Sequence, residues 1–231
     1  MSMIERIIEV QYTGLAEAVK HLSAEERSDI LYDSFCRNDC SQEGVLLLEN
    51  KWREISFKPK VSDDLLCIVR ESIQYFCTEE MYIAAINLAI ETGQKGIARS
   101  ILRTALVKEH KEVEENIHGK YRGDVSNLIC YGNLARKKIG DCTLAMECYN
   151  RTIPIILANI NLGDYNSYSH IDWLIHNVPE VGTTIVDGLV TIVGVVVIAA
   201  DYCETLAKIE NKRGNYQLGK RFKRRAKDLK Q

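Results

Sequence analysis

Three glycines, Gly93, Gly140 and Gly214, each close a helix-like stretch, and this repeated punctuation constrains the fold more than any other feature. Five residues after each glycine stands a small residue, Ala98, Ala145 or Gly219. Twelve residues after it stands Ala105, Thr152 or Ala226. A glycine that follows helical periodicity is a stop signal, because glycine enters the left-handed region without a steric penalty. Small residues at fixed distances beyond it let a returning helix lie close against its predecessor. The pattern predicts helical hairpins. Only Pro59, Pro154 and Pro179 interrupt the 231 residues, which leaves long helices possible and argues against a turn-rich β fold.

Hydrophobic periodicity extends this picture along the chain. Ile4, Ile7 and Ile8 begin an amphipathic helix or short strand. Ser23 and Glu26 have capping-box spacing and open a helix with Ile30, Leu31 and Phe35 on one face, stopping near Asn38-Asp39. Gln42 to Trp52 reads as helical through Val45 to Leu48, and Ile55 to Phe57 as an extended link before Pro59. Ser62, Asp63 and Asp64 start a helix that carries Leu65, Val69, Ile73 and Phe76. Thr78 with Glu79 and Glu80 reads as the start of the next one. Ile97, Ile101 and Leu102 lie on the helix after Gly93, whose charged end runs to Lys120. Val125–Ile139 and Leu144–Ile160 form a further pair, with Pro154 expected to kink or split the second. Residues 163–169 read as a loop, and Ile171–Asn177 as a short helix stopped by Pro179. The fold class is all-α. It is organised as an N-terminal helical segment (1–60), helical hairpins (61–162), and a loop, apolar helix and basic helix (163–231) packed on the same domain.

Thr183 to Ala200 is the most apolar run, broken only by Asp187. Its charge-free part, Gly188 to Ala200, is shorter than the roughly 20 residues that span a bilayer. It is expected to be a central buried helix. The alternative is a membrane-inserting segment, since a basic end follows it.

With each glycine as a turn, the hairpins resemble tetratricopeptide repeats, in which a unit of about 34 residues is a helix–turn–helix. The copy that begins Gly140-Asp141-Cys142 fits best, with Tyr149 on the family's aromatic position; Asn215-Tyr216 after Gly214 is also similar. Leu102 and Lys223 stand at that aromatic position in the other copies. The small residue expected seven before the turn is Ile86, Asn133 and Ala207 in turn, and the glycines lie 47 and 74 residues apart. The architecture is thus a helical-hairpin array of the tetratricopeptide (TPR-like α-solenoid) kind, or an irregular helical bundle. The resemblance implies a peptide groove lined by first helices: Ile83, Asn87 and Ile90, then Asn127, Leu134, Lys137 and Lys138, then Lys208, Asn211 and Lys212.

The net charge of −2 conceals an asymmetry. Glu204 to Gln231 holds ten Lys and Arg against three Asp and Glu, so the remainder carries about −9. Within the end, Lys220, Arg221, Lys223, Arg224, Arg225, Lys227 and Lys230 cover more than one helical face. Helix-dipole stabilisation accounts for two or three cations, and the surplus points to an anionic partner. Weak contact with nucleic acid, anionic lipid or the acidic body of another copy is the expected outcome.

Signs of chemistry are sparse. Asp172 and His176 stand one helical turn apart after His170, but a solitary pattern of this kind is a weak metal signal, and no metal or cofactor is expected. Eight cysteines lack zinc-ribbon spacing. They are expected to be reduced and buried, since the N-terminal MSMIERIIEV does not read as a signal peptide. No glycine-rich phosphate loop occurs. The sequence predicts a non-enzymatic, cytoplasmic protein–protein interaction or scaffold module with a protein or peptide partner and a tendency to homo-oligomerise. The alternative is a membrane-associating protein that inserts 183–200 with its basic end on anionic lipid.

Overall fold

The computed structural model describes residues 15–17, 19–36, 63–118 (side chains to 112) and 125–231. The expected elements at 1–10, 42–52 and 55–57, the caps at Ser62 and Asn38-Asp39, and Cys40 lie outside them. All described elements are helical, with no strand among the described residues. The chain forms two compact units, residues 1–105 and 106–231, divided within one helix.

In the first unit, α1 (Ala24–Cys36), α2 (Asp63–Thr78) and α3 (Tyr82–Glu91) pack together, and α4 (Lys95–His118) begins. The capping box forms as its spacing requires: Ser23 Oγ accepts from Glu26 N at 3.2 Å, and Glu26 accepts from Ser23 N at 3.1 Å. Leu31, Leu65, Val69 and Phe76 are buried, and the Tyr32 ring meets Phe76 edge-on at 5.9 Å. Thr78 does not start a helix. It is the last residue of α2, and its hydroxyl donates to Gln74 O at 3.0 Å. Glu80 then takes a left-handed φ of 62°, while Met81 N reaches Phe76 O and Glu80 N reaches Cys77 O. These are the two bonds of a Schellman stop, formed here around a glutamate.

Gly93, Gly140 and Gly214 all have φ near 80°. After α3, Gly93 N bonds to Ile90 O and Gln94 N to Ala89 O, and Gly214 and Asn215 repeat the pattern on Asn211 and Glu210. The small residues beyond the glycines are buried: Ala98, Ala105, Ala145, Thr152, Gly219 and Ala226.

The second unit contains α5 (Ser126–Asn133) and its π-helical continuation Leu134–Ile139, α6 (Cys142–Asn161) and α7 (Ser167–Asn177). A 3₁₀ turn (Pro179–Val181), α8 (Gly182–Val190), α9 (Val196–Lys212) and α10 (Tyr216–Leu229) complete it. Asp141 caps α6 by accepting from Leu144 N at 3.0 Å. Pro154 does not split α6, which runs unbroken to Asn161. The expected loop at 163–169 is shorter, because Ser167 already opens α7 with its hydroxyl on Asp164.

The apolar run is two helices, not one. It breaks between Val190 and Val196, where Gly194 is left-handed, so the expected single central helix is corrected. A β-branched sequence of low helix propensity beside a glycine offers little resistance to such a break. Ile185, Val186, Leu189, Ala199 and Ala200 are buried, whereas Val193 is 98% exposed. No described helix is long and apolar enough to cross a membrane.

Two positions show how closely the helices approach. A Cβ on Gly132 would lie 2.3 Å from the ring of Tyr149, and one on Gly219 would lie 2.3 Å from Asn211 Oδ1. Asn133 sits beside Gly132 and accepts from the Tyr149 hydroxyl at 3.1 Å. The small contact position of this pair is thus Gly132, eight residues before Gly140. A π turn carries one more residue than an α turn, which moves the contact one place from the expected Asn133.

Candidate functional site

α9 and α10 form the last hairpin, and α10 puts its apolar side, Gly219, Phe222 and Ala226, against α9. Its other faces are cationic. Lys220, Arg221, Lys223, Arg224 and Lys227 are exposed, as are Lys208, Asn211 and Lys212 on α9. Between the two helices lies a groove of about 310 Å3, lined by Glu204, Ala207, Lys208 and Asn211 on one wall and Lys223, Ala226, Lys227 and Lys230 on the other. Two sets of residues that the sequence treats separately, the third-copy positions Lys208 and Asn211 and the basic-end positions Lys223 and Lys227, therefore share one concavity.

The groove is electrostatically uneven. At one end Lys230 Nζ pairs with Asp201 at 3.1 Å and Glu204 at 2.8 Å. Lys208, Lys223 and Lys227 form no ion pair with any described residue, and the same holds for Lys212, Lys220, Arg221 and Arg224. Holding like charges this close opposes folding, so the arrangement suits an external anion.

Arg225 departs from the expected anionic-partner set. It is half-buried and pairs with Asp187 at 2.5 Å, fastening α10 to α8. The acid that interrupts the apolar run is therefore the partner of one of the basic-end cations. The base of the hairpin is fixed by Glu210, which is 2% exposed. It accepts from Arg213 Nη1 at 3.2 Å and from Asn215 Nδ2 at 2.6 Å. Arg213 also reaches Glu180 at 2.7 Å, and Arg136 stands 4.0 Å from the same carboxylate. Burial alone would raise the Glu180 carboxyl, yet the hydrogen bond and charge of Arg213, with help from Arg136, hold it below the ordinary range.

The other predicted groove positions do not join this site. Asn87 is half-buried on α3 in the first unit, and Ile90 is core. Asn127 is exposed but engaged, its Nδ2 donating to Glu109 at 3.1 Å. Lys137 and Lys138 are exposed on the π-helical segment. Ile83 and Leu134 are half-buried.

Around the His170–His176 segment, His176 Nδ1 lies 2.8 Å from the backbone oxygen of Asp172. Tyr202 is raised by burial and by its hydrogen bond to Asp172. No group of three potential metal ligands occurs among the described residues. Of the seven described cysteines, all free, only Cys148 and Cys203 are buried, while Cys67 and Cys142 are exposed, so uniform burial is corrected. Burial pushes the Cys148 thiol up to about 12, which leaves it protonated and unreactive near neutrality.

Sequence reasoning missed Glu204, Ala207 and Ala226 as groove residues, and Lys230 as the pairing cation at its end. The spacing of Glu204, Ala207, Lys208 and Asn211 at three and four was the available signal. No family model matches the chain, and no curated protein or solved structure matches it.

Proposed function

We propose that this protein is a non-catalytic interaction module of α-hairpins, an array of the tetratricopeptide kind, that docks a protein partner inside the cell through its last hairpin. The observation that carries this reading is the set of cations on α9 and α10 that have no counter-charge among the described residues and border a concave groove. A solvated helix needs no such concentration, and the hairpin already has its own fasteners in Asp187–Arg225 and the Glu180–Arg213–Glu210 cluster. The test is affinity capture with the full chain, comparing wild type, Lys208→Glu/Lys223→Glu/Lys227→Glu and Lys137→Glu/Lys138→Glu. A defined set of proteins should be retained by the wild type and by the Lys137/Lys138 variant, and lost by the hairpin variant. Identical profiles for all three would refute the reading.

A second reading, shallow contact with anionic lipid, is favoured by the exposure of Val193 and Val197 at the break in the apolar run. It requires flotation with anionic vesicles that Val193→Lys abolishes.

A further inference from the structure

The geometry points to an acidic polypeptide segment as the occupant of the groove between α9 and α10, its carboxylates on Lys208, Lys223 and Lys227 and its main chain on the Asn211 amide. This rests on the interaction-module reading and specifies the chemistry of the partner.

Asn211 is the residue that separates a polypeptide from other anions. Its side-chain amide has no hydrogen-bond partner among the described residues, and it lies over Gly219, where a Cβ would come within 2.3 Å of Oδ1. The absence of a side chain at 219 is what lets Asn211 lie against α10, at the edge of the groove. An amide offers one acceptor and two donor hydrogens, which matches a peptide main chain carrying both N–H and C=O. The phosphodiester groups of a nucleic acid offer acceptors only. No aromatic ring lines the groove, so it gives no stacking platform for bases. The floor, Ala207 and Ala226, lies between two walls. A flat bilayer meets the outer faces of the helices but does not enter such a cleft.

The groove also sets the length of the segment. From Glu204 to Asn211 the α9 wall rises about 10 Å at roughly 1.5 Å per residue. That distance takes about three residues of extended chain. Lys208 and Asn211 lie toward the Gly214 turn, and Lys223 and Lys227 stand about two turns and one turn before Lys230 on α10. A short cluster of two or three acidic residues fits this length, and a long acidic tract overruns it. The floor is small and apolar contact is limited, so the affinity comes mainly from charge and weakens with salt.

The test is fluorescence anisotropy on the full chain with three labelled probes: a Gly-Ser peptide carrying Glu-Asp-Glu, the same peptide carrying Gln-Asn-Gln, and an oligouridylate. The acidic peptide should bind at low ionic strength, and its amide analogue at least about tenfold more weakly. Lys208→Glu/Lys223→Glu should weaken the acidic peptide by a similar factor. Asn211→Ala should weaken it with an unchanged salt dependence, and Lys137→Glu/Lys138→Glu should leave it unaffected. Gly219→Ala should act like Asn211→Ala, and Asn211→Ala keeps that arm decisive if Gly219→Ala fails to fold. Equal binding of the two peptides, indifference to Lys208→Glu/Lys223→Glu, binding of the oligouridylate alone or binding of no probe overturns the proposal. The extract capture stands apart from it: a partner lost on hairpin charge reversal, together with no binding of the acidic probe, keeps the module and removes the acidic segment.

Discussion

Arg213 donates a 2.7 Å hydrogen bond to Glu180, a residue 33 positions earlier in the chain, and this contact ties the turn of the last hairpin to the 3₁₀ turn before α8. Both side chains are partly exposed, so the pair is worth little as an isolated surface bridge. Its weight comes from its neighbours. Arg213 also holds the buried Glu210, and Glu180 also faces Arg136.

Glu180→Gln should destabilise the fold at neutral pH, and the effect should disappear in acid. The carboxyl is held below its ordinary value of 4.5 in the folded state. A group depressed in this way contributes stability above its unfolded value and loses it as pH falls through the lower folded value. Urea midpoints for wild type and variant should differ near pH 7 and converge below about pH 4.5. A constant gap across that range would show that the Glu180 charge contributes nothing.

Glu80→Gly should stabilise the protein. Glu80 occupies the left-handed site at the end of α2, where the ends of α3, the π turn and α9 use glycine. The left-handed conformation costs an L-residue roughly 1–2 kcal/mol, and the extra freedom of glycine in the unfolded chain returns about half of that. A gain of about 0.5–1 kcal/mol should appear in equilibrium unfolding.

Gly132→Ala should destabilise strongly, because the new methyl would overlap a fully buried ring rather than a flexible chain end. Overpacking of this kind costs about 1–3 kcal/mol. The loss should be largely rescued in the double variant with Tyr149→Leu, which removes the obstructing ring. A double-mutant cycle reads the coupling directly.

Tyr149→Phe removes the hydroxyl that donates to Asn133 at 3.1 Å and leaves the ring in place. A loss of about 1 kcal/mol is expected. Burial pushes the Tyr149 hydroxyl up from its ordinary 10.0 to about 12, so wild type and variant should show the same gap from neutral pH to about pH 9, and the gap should shrink above that as the unfolded tyrosine ionises.

The parts of the fold legible in the sequence are those with a local cause. The Ser23–Glu26 box, the glycine stops and the small residues beyond them follow from spacing and backbone sterics, and all are present. The stop at Glu80 was hidden because a glutamate occupies the place of a glycine. The break at Thr191–Val195 was hidden because a continuous apolar run carries no period from which to read an interruption. Arg225 looked like one cation among several; only the fold brings Asp187 to it. The same holds for the groove, since Lys208 and Lys223 are separated in sequence and converge when α10 turns back along α9.

The π turn at Leu134–Ile139 makes the second hairpin tolerant of a change that helices normally reject. Removing one residue from an α-helix rotates everything beyond it by about 100° and turns its buried face outward. Removing one from this segment lets it close as an ordinary α turn, with Gly132 still facing Tyr149 and Gly140 still ending the helix. Length variation in this first helix can therefore be absorbed at Leu134–Ile139 without rebuilding the core on either side.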